Sequence, residues 1–216
     1  MSALLDGAFV MGMGMAEIDE LVKDIRACRI CRDTPQGPAL PHDPRPVVQV
    51  AKSAKVLIAG QAPGTRVHES GRPFTDPSGD RLRQWMGIDN DVFYDATRVA
   101  IVPMGFCFPG LDKRGGDLPP RPECARHWRY RLLSRLPSIE LILVIGQYAQ
   151  AWHLGSLREE NLTETVRHWR ETYEALNPSV IALPHPSWRN NAWLRKNPWF
   201  EEDVLPVLRA DVKRLV

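Results

Sequence analysis

The sequence predicts an α/β fold in which a four-stranded parallel sheet is covered by helices on both faces. Four short runs rich in Val, Ile and Leu recur along the chain, and stretches with helical spacing separate them. Continuous apolar strands that alternate with helices are typical of parallel sheets buried on both sides. The expected strands are Lys55–Ala59, Val99–Val102, Leu141–Ile145 and Val180–Leu183.

Length and composition are those of an ordinary globular protein. The 216 residues fit a single domain over 1–216, and the 44% apolar and 25% charged contents are average. No apolar run reaches the roughly 20 residues of a membrane span, and the Met-rich start lacks the features of a signal peptide. We therefore expect a cytoplasmic protein with residues 1–14 disordered. The net charge of +2 means that nucleic-acid binding would need a local basic face.

Helices are expected before, between and after the strands. Ala16–Ala27 places four aliphatic residues at helical spacing and reads as an amphipathic helix. Thr34–Pro46 contains five prolines and is expected to be an extended connector. The remaining expected helices are Gly79–Met86, Glu123–Leu136, Gly146–His153 and Trp199–Leu215.

Polar and aromatic residues follow the expected strands. Right-handed crossovers place the carboxyl ends of parallel strands along one edge, where open α/β sheets bind ligands. The first such segment lies within Gly60–Gly79, whose four glycines and three prolines exclude a long helix or strand. An ordinary surface turn is the alternative for this stretch. The segments expected to line one crevice are Gln61–Phe74, Pro103–Cys107, Gly146–Tyr148 and His185–Trp188.

The four cysteines have a spacing that suggests a shared site. They occur as Cys28-x2-Cys31, a gap of 75 residues, and Cys107-x16-Cys124. In a cytosolic chain such cysteines are more often metal ligands or free thiols than disulfides. Four thiolates fit an iron–sulfur cluster or tetrahedral zinc, and buried free cysteines are a third possibility.

Five separated motifs in order resemble the uracil-DNA glycosylase superfamily, most closely its iron–sulfur branch (family 4). The motifs are Gly60-Gln-Ala-Pro-Gly64, Gly71-Arg-Pro-Phe74, Cys107, Cys124 and His185-Pro-Ser187. The resemblance covers about Cys28 to Arg195. It implies a three-layer αβα sandwich with a central four-stranded parallel sheet. It also implies a 4Fe-4S cluster on the four cysteines.

The activity that the resemblance implies is monofunctional DNA glycosylase activity. Such an enzyme flips uracil or a related deaminated base out of single- or double-stranded DNA and hydrolyses its N-glycosidic bond, leaving an abasic site. His185, held between two prolines, is expected to donate a hydrogen bond to the departing base. We assign the catalytic positions to His185 and Gln61. A structural histidine is the alternative for His185.

The base pocket is expected to combine a glycine-rich turn with an aromatic face. A turn without projecting side chains lets backbone N–H groups approach a ligand closely. Phe74 would stack on the flipped base, and core packing is its alternative role. The residues that we assign to substrate binding are Gly60, Ala62, Pro63, Gly64, Phe74, Met104 and Gly105.

A basic and aromatic stretch after the last strand predicts DNA contacts. By position, Arg189 resembles the residue that family members push into the vacated base stack, and Trp188 precedes it. Ser187 would contact a phosphate, and capping of the next helix is its alternative role. A solvated loop anchored by its tryptophans is the alternative for the stretch that runs to Lys196.

Two departures from the family pattern affect the predicted chemistry. Ala62 stands where some branches place a water-orienting Asp or Asn, and Gln61 stands where family 4 usually has Glu. Asp76, His68 and Glu69 are then the nearby candidates for activating water. Pro103 replaces the Asn that reads the uracil edge, so we expect backbone at Met104–Gly105 to select the base, with relaxed preference.

Two other functions remain compatible with the sequence. One is a catalytically weak protein that binds damaged DNA on the same scaffold, which Ala62 and Pro103 suggest. The other is a metal-site domain with an unrelated small-molecule substrate, which the low net charge suggests. The sequence also lacks, over Phe108–Glu123, the basic His-containing insertion of the branch that forms covalent DNA adducts.

Overall fold

The computed structural model describes residues 17–216 and contains a four-stranded parallel sheet. The predicted disorder of residues 1–14 lies outside the described residues. The spatial order of the strands is β2-β1-β3-β4, and every neighbouring pair is parallel. This confirms the predicted fold class. The strands are β1 Val56–Ala59, β2 Val99–Ile101, β3 Leu141–Ile145 and β4 Ser179–Leu183.

The sheet is the middle one of three layers because successive strand residues face opposite cores. Val56 and Ile58 of β1 pack in a large cluster with Trp85 and Leu208, which lie on helices on one face. Leu57, between them, packs with Ile25 and other residues of the opposite layer. Such period-2 alternation with both faces apolar is what a doubly covered parallel sheet requires.

Helices account for most of the remaining regular structure. The first described helix, α1, covers 17–26. The others are α2 Ile30–Asp33, α3 Thr65–Ser70, α4 Pro77–Met86, α5 Asn90–Phe93, α6 Pro122–Cys124, α7 Tyr130–Leu133, α8 Gln147–Leu154, α9 Leu162–Arg167, α10 Trp169–Ala175, α11 Asn191–Lys196 and α12 Leu205–Leu215. Wider π-helical turns cover Ala125–Arg129 and Phe200–Val204, and 3₁₀ turns cover Gly155–Leu157 and Trp188–Asn190. No described helix is both long and apolar enough to cross a bilayer.

Short helices are where the sequence prediction was incomplete. Helices α3, α9 and α10 were not predicted, because six or seven residues make fewer than two turns and show little periodicity. The stretch from Trp188 to Lys196 was expected to be a loop and is helical instead. Local caps explain some of these helices. The side chain of Asn161, for example, accepts a hydrogen bond from the backbone of Glu164 at 3.0 Å and starts α9.

The proline-rich connector has no helix or strand over 34–48, as predicted. Its end nevertheless pairs with the sheet. Gln49 forms an antiparallel bridge to Ile101, and its side chain donates to the carbonyls of Phe93 and Val99 at 2.9 and 2.8 Å. The backbone N–H of Val47 donates to the Phe106 carbonyl at 2.7 Å. The connector is thereby fixed against the edge of β2.

Candidate active site

A pocket lies at the carboxyl edge of the sheet and opens into a wider groove. The pocket contains about 600 Å³ outside the protein atoms, part of it open solvent, and the groove about 1700 Å³. Residues that follow β1, β2 and β4 line the pocket, and they include Gly60–Gly64, Pro103 and His185. Gly146–Tyr148, after β3, was also expected to line this crevice. It lines neither the pocket nor the groove, because α8 begins at Gln147, directly after the strand.

The turn Gly60–Gly64 forms the wall after β1, as predicted. A Cβ on Gly60 would lie 3.5 Å from Cζ of Phe74, so the backbone and the aromatic ring are in close contact. The carbonyls of Gly60 and Gln61 accept hydrogen bonds from the N–H groups of Met104 and Gly105, at 2.8 and 2.9 Å. Those two N–H groups are thus already satisfied, and neither residue lines the pocket. The structure therefore gives no support for the expectation that these N–H groups read the base, which stays a prediction.

Phe74 lines the pocket in a strained backbone conformation. Its φ of 53° lies in the left-handed region, which typically costs a non-glycine residue about 1–3 kcal/mol. Its carbonyl accepts hydrogen bonds from the Tyr94 hydroxyl at 3.1 Å and from Arg83 Nη1 at 3.3 Å. Its ring meets Phe93 edge-on at 6.0 Å between centroids. The core therefore holds the ring in place at the pocket wall.

His185 is fixed at the end of β4 with a defined proton position. Its Nδ1 accepts the backbone N–H of Ser187 at 3.2 Å, and its carbonyl accepts Asn190 Nδ2 at 2.7 Å. Since Nδ1 is an acceptor, the neutral ring carries its proton on Nε2. Burial lowers the pKa of His185, and the nearby carboxylates of Asp76 and Asp117 partly oppose this shift. The site thus presents a neutral imidazole whose Nε2–H donates to no acceptor among residues 17–216.

Two carboxylates line the pocket, and only one of them was predicted. Asp76 lies there, in front of α4. His68 instead packs against the rings of His42 and Phe108, with centroids 4.5 and 5.8 Å away, and Glu69 is exposed outside the pocket. The sequence interpretation missed Asp117, which lines both the pocket and the groove.

The position of Asp117 follows from the cysteine spacing. It lies in the segment between Cys107 and Cys124, whose ends meet where the four thiols converge, so the segment returns to the same edge of the sheet. A carboxylate after two glycines in such a segment was the available signal. Partial burial raises the pKa of Asp117, while the charge of Arg189 acts to lower it.

The groove carries the predicted DNA-contact residues. Trp188 is 70% exposed, and the guanidinium carbon of Arg189 lies 5.9 Å from the centre of its ring. The hydroxyl of Ser187 accepts the Arg189 N–H at 3.3 Å, so the capping alternative for Ser187 is realised. The rings of Trp193 and Trp199 meet edge-on, with 5.8 Å between their centroids, and both pack against the core. One tryptophan is therefore free at the groove while two others anchor the segment.

A buried arginine supports the pocket wall from behind. Arg129 is fully buried and donates to the carbonyls of Val102 and Pro103 at 2.6 and 3.1 Å. Its Nη2 also contacts Nε2 of His153 at 2.5 Å. Burial lowers the pKa of Arg129 to about 9 and that of His153 to about 3. Because Pro103 has no N–H and lines the pocket, this guanidinium fixes the wall through carbonyl groups.

The four cysteines converge between α1 and the loop after β2. Cys31 and Cys107 share a hydrogen bond, which lowers the pKa of Cys31 to about 7 and raises that of Cys107. Burial raises the pKa of Cys124 to about 12, and the charges of Cys28 and Cys31 add to this shift. Trp128 Nε1 donates to Cys28 Sγ at 3.1 Å, and the Phe106 N–H donates to Cys124 Sγ at 3.3 Å.

Cysteine thiols are suitable ligands for a metal group. Four thiols in one patch are the ligands of Cys₄ iron–sulfur and zinc sites. Within residues 17–216, no three His, Cys, Asp or Glu side chains stand close enough to hold a single metal ion. All four cysteines are free thiols in this arrangement.

A protein-family model described as the uracil DNA glycosylase superfamily matches residues 47–209. The match covers about three quarters of the chain and includes all four strands and every residue named above as lining the pocket. The chain therefore belongs to this superfamily. Membership supports DNA glycosylase chemistry, with DNA as the partner. Cys28 and Cys31 lie before the matched region.

Proposed function

Because the chain belongs to the uracil-DNA glycosylase superfamily, we propose that it is a monofunctional glycosylase that excises uracil or a related deaminated base. The product would be an abasic site in DNA. The observation that carries the proposal is the arrangement of His185 and Phe74 around one pocket, with a neutral imidazole whose Nε2–H is free to donate.

The proposed reaction uses these two residues differently. Phe74 stacks on the extruded base, a contact worth about 1–3 kcal/mol. His185 donates from Nε2 to a carbonyl oxygen of the base, where negative charge grows as the glycosidic bond breaks. A preorganised donor of this kind lowers the barrier by about 2.7–4 kcal/mol. A neutral imidazole suits this role because its single remaining proton is already aimed by the Ser187 N–H.

Gln61 is proposed to recognise the base. Deamination turns an amino group into a carbonyl and leaves an N–H beside it, in uracil, hypoxanthine and xanthine alike. A carboxamide presents one acceptor and donors side by side and can pair with that edge. Gln61 lines the pocket, and Pro103, which also lines it, has no backbone N–H to donate to a base. We therefore propose a preference that extends over several deaminated bases.

The groove is proposed to hold the DNA strand around the extruded nucleotide. Arg66 and Arg189 line it, are exposed, and are suited to phosphate contacts. The exposed ring of Trp188 suits the gap that the base leaves in the stack. Binding should therefore weaken as salt concentration rises.

The activity can be tested with oligonucleotides that contain one uracil, hypoxanthine or xanthine, as single and double strands. After incubation, alkali cleaves each abasic site, and the cleaved fraction is measured. We expect cleavage by the wild type and a rate about 10²–10³-fold lower for His185→Ala. No cleavage above the His185→Ala control on any of the three bases would refute the glycosylase proposal. Binding of such DNA without cleavage would instead support a catalytically weak DNA-binding protein.

We propose that the four cysteines hold a 4Fe-4S cluster, which would tie α1 and the connector to the loop after β2. The support is the number and spacing of the four cysteines, together with the hydrogen bond that Cys31 and Cys107 share. The cluster would serve as a structural cross-link. Anaerobically purified protein should be brown and contain about four irons per chain, and Cys107→Ser should lose them. Colourless protein with one bound zinc would refute the proposal.

A further inference from the structure

Asp117 lies where the pocket meets the groove. The residues shared by both spaces include Gln61, Asp76, Asp117 and His185. An extruded nucleotide places its base in the pocket and its phosphates in the groove, so the sugar carbon C1′ must lie at this junction. The group that handles the attacking water must lie there too.

A rigid hairpin positions Asp117. Leu111 and Asp117 form an antiparallel bridge, and the Leu118 N–H donates to the Gly110 carbonyl at 3.0 Å. At the tip, Asp112 Oδ1 accepts the N–H groups of Arg114 and Gly116 at 2.7 and 2.9 Å. The carboxylate of Asp112 is thus used by the turn itself.

Beyond the hairpin, the chain packs closely against the loop after β2. A Cβ on Gly105 would lie 3.1 Å from the backbone nitrogen of Arg121 and from Cβ of Pro120. This close approach fixes the segment that follows Asp117. At the opposite wall, Oδ2 of Asp117 lies 3.7 Å from where a Cβ on Gly64 would stand. Asp117 therefore faces the glycine-rich turn across the junction.

The carboxylate of Asp117 makes no hydrogen bond to any side chain or N–H group in the described part of the chain. Both oxygens are available to a water molecule. Asp76, the other carboxylate at the junction, stands directly before the ten-residue helix α4. Asp117 is exposed as a residue, but its carboxylate is partly buried near the glycine-rich turn, which raises its pKa and strengthens it as a base.

We propose that Asp117 orients the attacking water and accepts its proton, a catalytic role that rests on the proposed glycosylase function. The water oxygen forms a bond to C1′ of the deoxyribose while the bond from C1′ to the base nitrogen breaks. The bonding electron pair leaves with the base, whose carbonyl oxygen accepts the hydrogen bond from His185 Nε2. One proton of the water passes to the Asp117 carboxylate, and the base anion takes a proton from solvent or from the Asp117 carboxylic acid.

The test compares Asp117→Asn with the wild type under single-turnover conditions on a uracil oligonucleotide. Asparagine keeps the size of the side chain and removes its basicity. We expect the rate to fall about 10²–10⁴-fold, the range for loss of a general base. Affinity for an oligonucleotide with a stable abasic analogue should stay within about threefold of wild type, because Asp117 makes no proposed phosphate contact.

Asp203→Asn is the matched control, since Asp203 is an exposed carboxylate outside both the pocket and the groove. Its rate should equal the wild-type rate. The wild-type rate should also fall as pH decreases through the pKa of Asp117, and this decline should vanish in Asp117→Asn. The titratable and charged groups that act on Asp117 are His185, Arg189 and Asp76.

The outcomes separate this inference from the proposed function. An active wild type with an equally active Asp117→Asn overturns the role of Asp117 and leaves the glycosylase function standing. Parallel loss of rate and of affinity in Asp117→Asn also overturns it, because the residue would then act on DNA binding. A wild type with no excision above His185→Ala overturns the proposed function itself.

Discussion

Gly79→Ala should destabilise the protein through the carbonyl group of Phe74. The new Cβ would lie 2.7 Å from the carbonyl carbon of Phe74 and 2.8 Å from its Cβ, and it would overlap the carbonyl oxygen. The obstacle is backbone, so no side chain can rotate away. Either α4 or the Phe74 peptide must move, and the carbonyl then loses its hydrogen bonds from Tyr94 and Arg83.

The expected change in the free energy of unfolding combines two destabilising contributions and one stabilising contribution. Overpacking costs about 1–3 kcal/mol, and two weakened hydrogen bonds cost about 0.5–1.5 kcal/mol each. Alanine is the better helix former, which stabilises α4 by about 1 kcal/mol. The net expectation is a loss of about 3 kcal/mol in the free energy of unfolding, together with slower uracil excision because the stacking ring is displaced.

Urea denaturation followed by circular dichroism measures the first quantity, and single-turnover excision at a temperature where both proteins are folded measures the second. Gly37→Ala is the control, since a Cβ there would meet nothing within 4 Å. It should change stability by no more than about 0.5 kcal/mol. A Gly79→Ala protein as stable as the wild type, or more stable, would refute the proposed restraint on Phe74.

Three further predictions concern the pocket and its support. Phe74→Leu should weaken binding of DNA with an extruded base by about 1–3 kcal/mol in titrations, with little effect on undamaged DNA. Arg129→Met should lower the free energy of unfolding in urea by about 2–4 kcal/mol, because two buried carbonyls lose a charged donor. The pKa of His153 is about 3 in the folded chain against 6.5 as its ordinary value, so the unfolded chain binds the extra proton. The free energy of unfolding should then fall as pH decreases from 6.5 towards 3. His153→Gln should flatten this pH dependence. The control His127→Gln, which replaces an exposed histidine, should leave it as in the wild type.

The fold was predictable because the four strands are continuous apolar runs. Leu141–Ile145 is buried almost throughout and has the predicted bounds, and the other three strands differ from prediction by one residue at an end. Burial on both faces leaves such runs no polar positions, so their pattern is unambiguous. The first helix was predictable for the complementary reason, since Ile18, Leu21 and Ile25 mark one buried face.

The site was only partly predictable because its residues meet through tertiary structure. His185 and Phe74 could be placed from motifs that follow strands. Asp117 has only a weak local signal, because its position depends on a hairpin folding back. Arg129 has no local signal, because its role depends on burial behind Pro103. The place of Met104 and Gly105 outside the pocket was not predictable for a related reason. Their N–H groups pair with the turn after β1, which only the sheet order reveals.

The hairpin with Asp117 is anchored at its ends and exposed along its length. Cys107 and Cys124, which bracket it, are buried, whereas residues 111–115 and 117–119 are exposed. Substitutions at exposed positions usually change stability by no more than about 0.5 kcal/mol. Exposed side chains that the turn does not use can therefore vary at little cost to folding, and among them Leu111 lines the groove and Asp117 lines both groove and pocket. In evolutionary terms, substitutions in this segment can reshape the groove without any change in the sheet.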